Sequence, residues 1–78
     1  MVEAYCLIST EPNTTSEVFK NVEDLNGVVS AEAVTGSYDL VVRVETDSFE
    51  ILTETVFSEI RSVDGVTSTS TLTVVEIE

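Results

Sequence analysis

Apolar residues recur along the chain with two different spacings, and these spacings predict the secondary structure. Runs that are alternating or largely β-branched cover residues 2–8, 28–35, 40–44 and 66–77, which indicates four strands. The intervals between the first two and the last two strands carry apolar residues at helical spacing. The predicted element order is therefore βαββαβ.

Each predicted helix has a start signal, an apolar stripe and a stop signal. Residues 14–17 and 47–50 have the spacing of a capping box, and Gly27 and Gly65 follow the helices as candidate C-cap residues. The residues predicted to face the core are Val18, Phe19, Val22 and Leu25 in the first helix and Phe49, Leu52, Val56, Ile60 and Val63 in the second.

The two halves of the chain repeat each other. Residues 19–30 and 57–68 share Phe, Val or Ile, Leu or Val, Asn or Asp, Gly, Val and Ser at equal spacing. Two tandem βαβ-like units predict an α+β protein with the ferredoxin-like fold. Its antiparallel sheet would have the order 4-1-3-2, with both helices on one face. Strand two, which carries Ser30 and Glu32, is expected at an edge.

Strands one and three carry apolar residues on both faces of the predicted sheet. Tyr5, Leu7 and Val41 fall on the face opposite the helices, and the chain holds no further element to cover them. An uncovered apolar face predicts a partner. We expect a second copy packed sheet against sheet, with Arg43 also in this dimer interface.

The charge is strongly unbalanced, with 15 acidic residues, three basic residues and a net charge of −12. Phosphate contacts need Lys and Arg, so the composition excludes direct nucleic-acid binding and disfavours an anionic membrane surface. The acidic residues are dispersed along the chain, which favours a solvated coat suited to a high-salt cytoplasm. The alternative is an acidic docking surface for a basic partner.

The remaining composition bounds the class of protein. We expect one domain over residues 1–78. Because neither a signal peptide nor a membrane-spanning run is present, we also expect the protein in the cytoplasm. Cys6 is expected to be a small core residue and not a reactive thiol. Histidine is absent, and no nucleophile stands near an evident base, so we expect no catalytic residues, no metal and no cofactor.

The turn between strands two and three carries the polar residues that most need an explanation. It reads Val-Thr-Gly-Ser-Tyr-Asp-Leu over residues 34–40, and residues 63–71 read Val-Asp-Gly-Val-Thr-Ser-Thr-Ser-Thr. The two motifs, in this order and spacing, resemble the effector-binding (RAM) domain of the Lrp/AsnC transcriptional regulators. The resemblance covers the whole chain.

This resemblance implies a dimer that assembles further and a small-molecule site, usually for an amino acid, at contacts between dimers. The matching positions are Gly36, Ser37, Tyr38, Asp39, Thr69 and Thr71. Family regulators also carry an amino-terminal helix-turn-helix, whereas here strand one starts at Val2, so we expect a stand-alone effector module. Alternatives are a ligand-free assembly partner of full-length Lrp/AsnC regulators and a small ferredoxin-like dimeric enzyme.

The residues themselves leave two interpretations of the turn. Backbone N–H groups around Gly36 and the threonine hydroxyls could hold a ligand carboxylate, while Asp39 holds the ammonium group. Alternatively, Asp39 pairs with Arg43, Tyr38 belongs to the core, and the threonines reflect only β propensity.

Overall fold

The computed structural model describes residues 1–77; Glu78, the last residue of the predicted domain, and the side chain of Phe57 lie outside the description. The elements, in chain order, are β1 (Val2–Thr10), α1 (Thr15–Glu23), β2 (Val28–Ala33), β3 (Leu40–Thr46), α2 (Phe49–Glu54) and β4 (Val66–Thr73). Helix α2 continues directly into a π-helical segment, Thr55–Ile60.

The four strands form one antiparallel sheet in the order β2-β3-β1-β4, so the predicted order and ferredoxin-like fold are confirmed. The central strands are β1 and β3, and their register pairs Leu7 with Val41. On its other side β1 pairs Ile8 with Thr69 of β4. Strand β2 lies at an edge, as its polar residues indicated.

One face of the sheet lies under the helices and forms the core. Alternate residues of the central strands are buried there: Ala4, Cys6 and Ile8 from β1, and Leu40, Val42 and Val44 from β3. The helical segments contribute Val18, Val22, Leu52, Val56 and Ile60. Each fully buried Val, Leu or Ile side chain contributes about 1.5–3 kcal/mol. The alternating apolar residues of the two central strands and the helically spaced residues of the two helices therefore pack into a single core.

Helix α1 differs from its prediction at both ends. Thr14 is the N-cap residue, but its hydroxyl donates to the Glu11 carbonyl and caps no helical N–H. The helix ends at Glu23, and Gly27, at φ +92°, lies in the following turn before β2. Gly27 is therefore a turn residue and not the C-cap that the sequence indicated.

Helix α2 also starts differently from the predicted capping box. Ser48, and not Asp47, is the N-cap residue, and its hydroxyl accepts from the Ile51 N–H at 3.2 Å. Phe49 is the first residue of the helix and is 62% exposed, so the prediction that Phe49 faces inward is wrong. Leu52, Val56 and Ile60 are buried as predicted.

All four strands end at a different residue from the sequence prediction, and β3 runs two residues further, to Thr46. Strand β1 runs two residues further, to Thr10, and β2 stops at Ala33. Strand β4 ends at Thr73 because its antiparallel partner β1 begins at Val2: Thr73 pairs with Ala4, and the Val74 N–H donates to the Glu3 carbonyl. Little of β1 then remains to pair with residues 75–77.

Cys6 lies wholly inside the core, as expected from its place in the strand pattern. Burial raises the pKa of the Cys6 thiol, and a hydrogen bond with the Thr71 side chain offsets part of that rise. Within residues 1–77, none of the helices is long and apolar enough to cross a membrane.

Candidate functional site

The turn between β2 and β3 is closed by backbone hydrogen bonds at its base. The Val34 N–H donates to the Asp39 carbonyl at 2.9 Å, and the Asp39 N–H donates to the Ile8 carbonyl of β1 at 2.9 Å. Gly36 adopts φ +118°, a conformation that favours glycine, and a Cβ there would have no atom within 4 Å. The tip of the turn is therefore open to an approaching molecule.

The Asp39 carboxylate is already engaged within the chain. Its Oδ2 accepts from the Thr10 N–H at 2.8 Å and from the Thr10 hydroxyl at 3.3 Å. The Thr10 hydroxyl also lies 2.7 Å from that of Thr15, in the first turn of α1. The expected alternative, an Asp39–Arg43 pair, is wrong, because Asp39 precedes β3 and turns toward the end of β1.

Arg43 pairs instead with glutamates on the face of the sheet opposite the helices, here called the open face. Its Nη2 lies 3.1 Å from Glu3 Oε1 and 3.0 Å from Glu45 Oε2, since the register places Glu3 opposite Glu45. The hydrogen bond to Glu3 and the charges of both glutamates raise the pKa of Arg43. Its Nε is buried and has no hydrogen-bond partner in the described part of the chain.

The two threonines of the predicted site lie away from the turn tip. Thr69 and Thr71 pair with the buried Ile8 and Cys6, so both project to the helix-covered face. Thr71 lines a groove of about 210 Å³ between α2 and β4. Leu40, Ile8 and Thr69 are in register across β3, β1 and β4, which separates Thr69 from the turn by two strand spacings, about 9–10 Å.

Tyr38 is half-buried, so it is not the fully buried core residue of one interpretation. Gly36 and Ser37 are exposed, and Asp39 is half-buried. Within one chain, the structure brings Gly36, Ser37, Tyr38 and Asp39 together but does not bring Thr69 or Thr71 to them.

The open face combines apolar residues with the Arg43 ion pairs. Leu7 lies directly opposite Val41, and Tyr5, 41% exposed, lies opposite Arg43. Leu72 of β4 pairs with Tyr5 and is 54% exposed, which adds to this face a residue that sequence reasoning missed. The signal was present: Leu72 is the only large apolar residue in the Ser/Thr-rich run 67–73.

A second groove, also missed from the sequence, lies between α1 and the edge strand β2. It has a volume of about 260 Å³ and is lined by Thr15, Ser16, Phe19, Lys20 and Ala33. The sequence signal for this groove is Lys20, which is the only lysine of the chain. Among residues 1–77, no group of three or more His, Cys, Asp or Glu side chains could hold a metal ion.

Comparison with known proteins places this geometry in a family. The model of the Lrp/AsnC ligand-binding domain matches residues 3–77. The crystal structure of FFRP-DM1 has 33% sequence identity and a TM-score of 0.92, covering 96% of this chain and 100% of that one. Escherichia coli AsnC has 25% identity and a TM-score of 0.90 over 97% of this chain and 52% of its own length.

A transcriptional regulator of Neisseria meningitidis, solved as its L-Met complex, shares the fold at 21% identity. Its TM-score is 0.85, and the alignment covers 96% of this chain and 50% of that one. No curated protein sequence matches the chain. The family is one of non-enzymatic transcription regulators, which removes the ferredoxin-like enzyme considered above. Since the family model spans nearly every residue and the fold agrees, the chain belongs to the Lrp/AsnC ligand-binding domain family.

Proposed function

We propose that this domain binds an amino-acid effector at the turn between β2 and β3 and uses that binding to control its assembly. The observation that carries the proposal is the open turn tip. Within residues 1–77, the N–H groups of Gly36, Ser37 and Tyr38 donate no hydrogen bond. Consecutive free N–H groups around a glycine form a concavity suited to an anion such as a carboxylate.

An α-amino acid fits this donor set better than an inorganic anion does. The half-buried ring of Tyr38 offers apolar surface beside the free N–H groups. The family is built around a ligand-binding domain, and the related Neisseria meningitidis regulator was solved with L-Met. The residues that we assign to direct contact with the ligand are Gly36, Ser37, Tyr38, Thr69 and Thr71, and Asp39 lies at the base of the same turn.

Two copies are needed to complete such a site. Strand β1 separates the turn from Thr69 and Thr71 of the same chain, so we propose that these threonines come from a neighbouring subunit. Assembly begins with a homodimer through the open face, at Tyr5, Leu7, Val41 and Arg43. The exposed apolar surface of this face supports a covering partner.

The test is a thermal-shift screen of the purified chain against the twenty amino acids in molar KCl, followed by calorimetry. At least one amino acid should raise the melting temperature. Gly36→Ala should weaken its binding about tenfold, because the added methyl group disturbs both φ and access to the N–H groups. Thr67→Ala, at an exposed strand position, is the matched control and should bind normally. No stabilisation by any amino acid would contradict effector binding.

A second candidate function is assembly with full-length Lrp/AsnC regulators without a ligand. It is favoured by one observation: a carboxylate oxygen of Asp39 is already occupied by Thr10. Co-expression with a full-length family regulator, followed by size-exclusion chromatography, tests it. Mixed oligomers that form equally with and without every amino acid would support this alternative.

A further inference from the structure

We infer that Asp39 is a positioning residue that shapes the turn through Thr10 and does not pair with the ammonium group of a ligand. This inference deepens the proposed function and rests on it for the role of the turn. It assigns functions to two residues, Thr10 and Thr15, that neither the sequence motifs nor the family match singles out.

Asp39 immediately precedes β3, at the point where the pairing of β3 with β1 ends. Its N–H donates to the Ile8 carbonyl and so continues the β1–β3 ladder for one residue beyond Leu40. The next N–H of β1 that faces β3 is that of Thr10. The chain before Asp39 has turned away, so β3 offers this N–H no backbone carbonyl. The Asp39 carboxylate accepts that N–H at 2.8 Å and thus replaces the missing strand acceptor.

The Thr10 hydroxyl contacts both Asp39 and Thr15, and the direction of each hydrogen bond follows from the groups involved. A carboxylate only accepts, so the Thr10 hydroxyl donates to Asp39 Oδ2 at 3.3 Å. The Thr10 hydroxyl hydrogen is then used, and the 2.7 Å contact requires Thr15 to donate to Thr10. The result is a directed chain from Thr15 through Thr10 to Asp39, which ties the turn to the first turn of α1.

The hydrogen bond between Asp39 and Thr10 holds the base of the turn in place, and this affects ligand binding. The register of β1 against β4 shifts between Ser9 and Thr10, so ordinary ladder bonds hold this end of β1 less firmly. The hydrogen bonds between Asp39 and Thr10 compensate for this weaker pairing. The base of the turn is therefore held to β1 as well as to β3. Fixed N–H groups at Gly36, Ser37 and Tyr38 are preorganised for a carboxylate, which strengthens binding without any contact from Asp39.

The two possible roles of Asp39, positioning the turn and pairing with a ligand ammonium group, need different properties of its side chain. Positioning needs an oxygen that accepts from the Thr10 N–H, and the Asn amide oxygen can supply one. Pairing with a ligand ammonium needs the negative charge, which Asn lacks. Asp39→Asn therefore separates the two roles, and Asp39→Ala removes both. Asp47→Asn, an exposed position at the other end of β3, is the matched control for loss of one charge.

The experiment measures two properties of the full chain. Amide NMR and hydrogen exchange of the ligand-free protein report the turn, through Thr10, Gly36 and Ser37. Calorimetry with L-Met and with the best amino acid from the screen reports binding. Asp39→Ala should accelerate exchange at Thr10 and weaken binding, each about tenfold or more. Asp39→Asn should keep the wild-type turn resonances and bind within about threefold of wild type.

Thr10→Val tests the hydroxyl chain separately, because it keeps the Thr10 N–H bond and removes only the hydroxyl. It should shift the amide resonances at the start of α1, including Thr15, while Thr67→Val should not. The inference is overturned if Asp39→Ala leaves the turn resonances unchanged, or if Asp39→Asn loses binding as fully as Asp39→Ala with an intact turn. If no amino acid binds the wild type, the proposed function fails, and the exchange data still decide the positioning role.

Discussion

Gly65 lies against Val18 so closely that a side chain at this position would overlap helix α1. A Cβ on Gly65 would stand 2.8 Å from Val18 Cγ2 and 2.8 Å from Thr14 Oγ1. Val18 is fully buried and cannot swing away without opening the core. Gly65 also has φ +98°, so backbone conformation and packing both demand glycine there.

Gly65→Ala should therefore lower the free energy of unfolding by about 2–4 kcal/mol, from backbone strain plus overpacking. Gly36→Ala is the control, because Gly36 has a positive φ but no atom within 4 Å of the added methyl. It should lose only about 1–2 kcal/mol. Urea unfolding of both variants measures the difference, and equal losses would show that the contact with α1 contributes nothing.

The sequence predicted the fold because its repeat, its alternation and its helical spacing agree with one another. Ala4, Cys6, Leu40 and Val42 alternate toward the core as period-two strands require. Local cap chemistry was harder to predict, because both helices have cap-like residues at adjacent positions, and Ser48 caps the second helix in place of Asp47. Phe49, at the first position of that helix, is exposed although its spacing matches the buried stripe.

The candidate site was predicted only in part, for a different physical reason. The turn at Gly36 is encoded locally and was found. The partners of Asp39 and Arg43 are not local: Thr10 lies 29 residues from Asp39, and Glu3 lies 40 residues from Arg43. The sequence suggested a partner only four residues away in each case, Asp39 with Arg43, and only the strand register shows which distant residue is adjacent.

The open face predicts a dimer that one charge should break. Leu7 and Val41 are paired across β1 and β3, so Leu7→Asp or Val41→Asp should place an unpaired carboxylate inside the proposed interface. Light scattering in molar KCl should then show monomers. Ile51→Asp is the control, because Ile51 is 47% exposed on α2, away from the open face. A folded, monodisperse wild-type monomer would contradict this dimer.

The buried thiol predicts a loss of stability at alkaline pH. Burial raises the pKa of Cys6 in the folded state above its unfolded value. The unfolded chain therefore ionises first as pH rises past about 8.5, and this stabilises the unfolded state. The free energy of unfolding should fall from that pH upward and stop falling once pH passes the folded pKa.

Cys6→Ala provides the control for that pH dependence. It should lower the free energy of unfolding at every pH, because it removes core volume. It should also reduce the fall in the free energy of unfolding that ionisation of the thiol causes at alkaline pH. Thiol reagents should label wild-type Cys6 only as fast as the protein unfolds. Rapid labelling of the native protein would show that the thiol is accessible and the core assignment wrong.

The net charge of −12 predicts that stability depends on salt. Three basic residues cannot neutralise 15 acidic ones, and Arg43 is already shared between Glu3 and Glu45. Screening shortens the range of the remaining repulsion to about 3 Å at 1 M salt. The melting temperature should rise steeply from dilute buffer to molar KCl. A flat profile would favour the acidic docking surface over the solvated coat.

The placement of Thr69 and Thr71 predicts that effector binding and assembly are coupled. These threonines lie across β1 from the turn of their own chain, so a site that uses both motifs needs a second subunit. Linkage then requires that the effector favours the assembled state and that assembly raises affinity by the same factor. In calorimetry, the apparent dissociation constant should fall as protein concentration rises, and sedimentation should show larger species when the effector is added.

Thr69→Val should weaken this coupling more than Thr67→Val, because Thr67 is exposed outside the proposed site. An affinity that stays constant over a hundredfold range of protein concentration, spanning the assembly transition, would place the whole site within one chain.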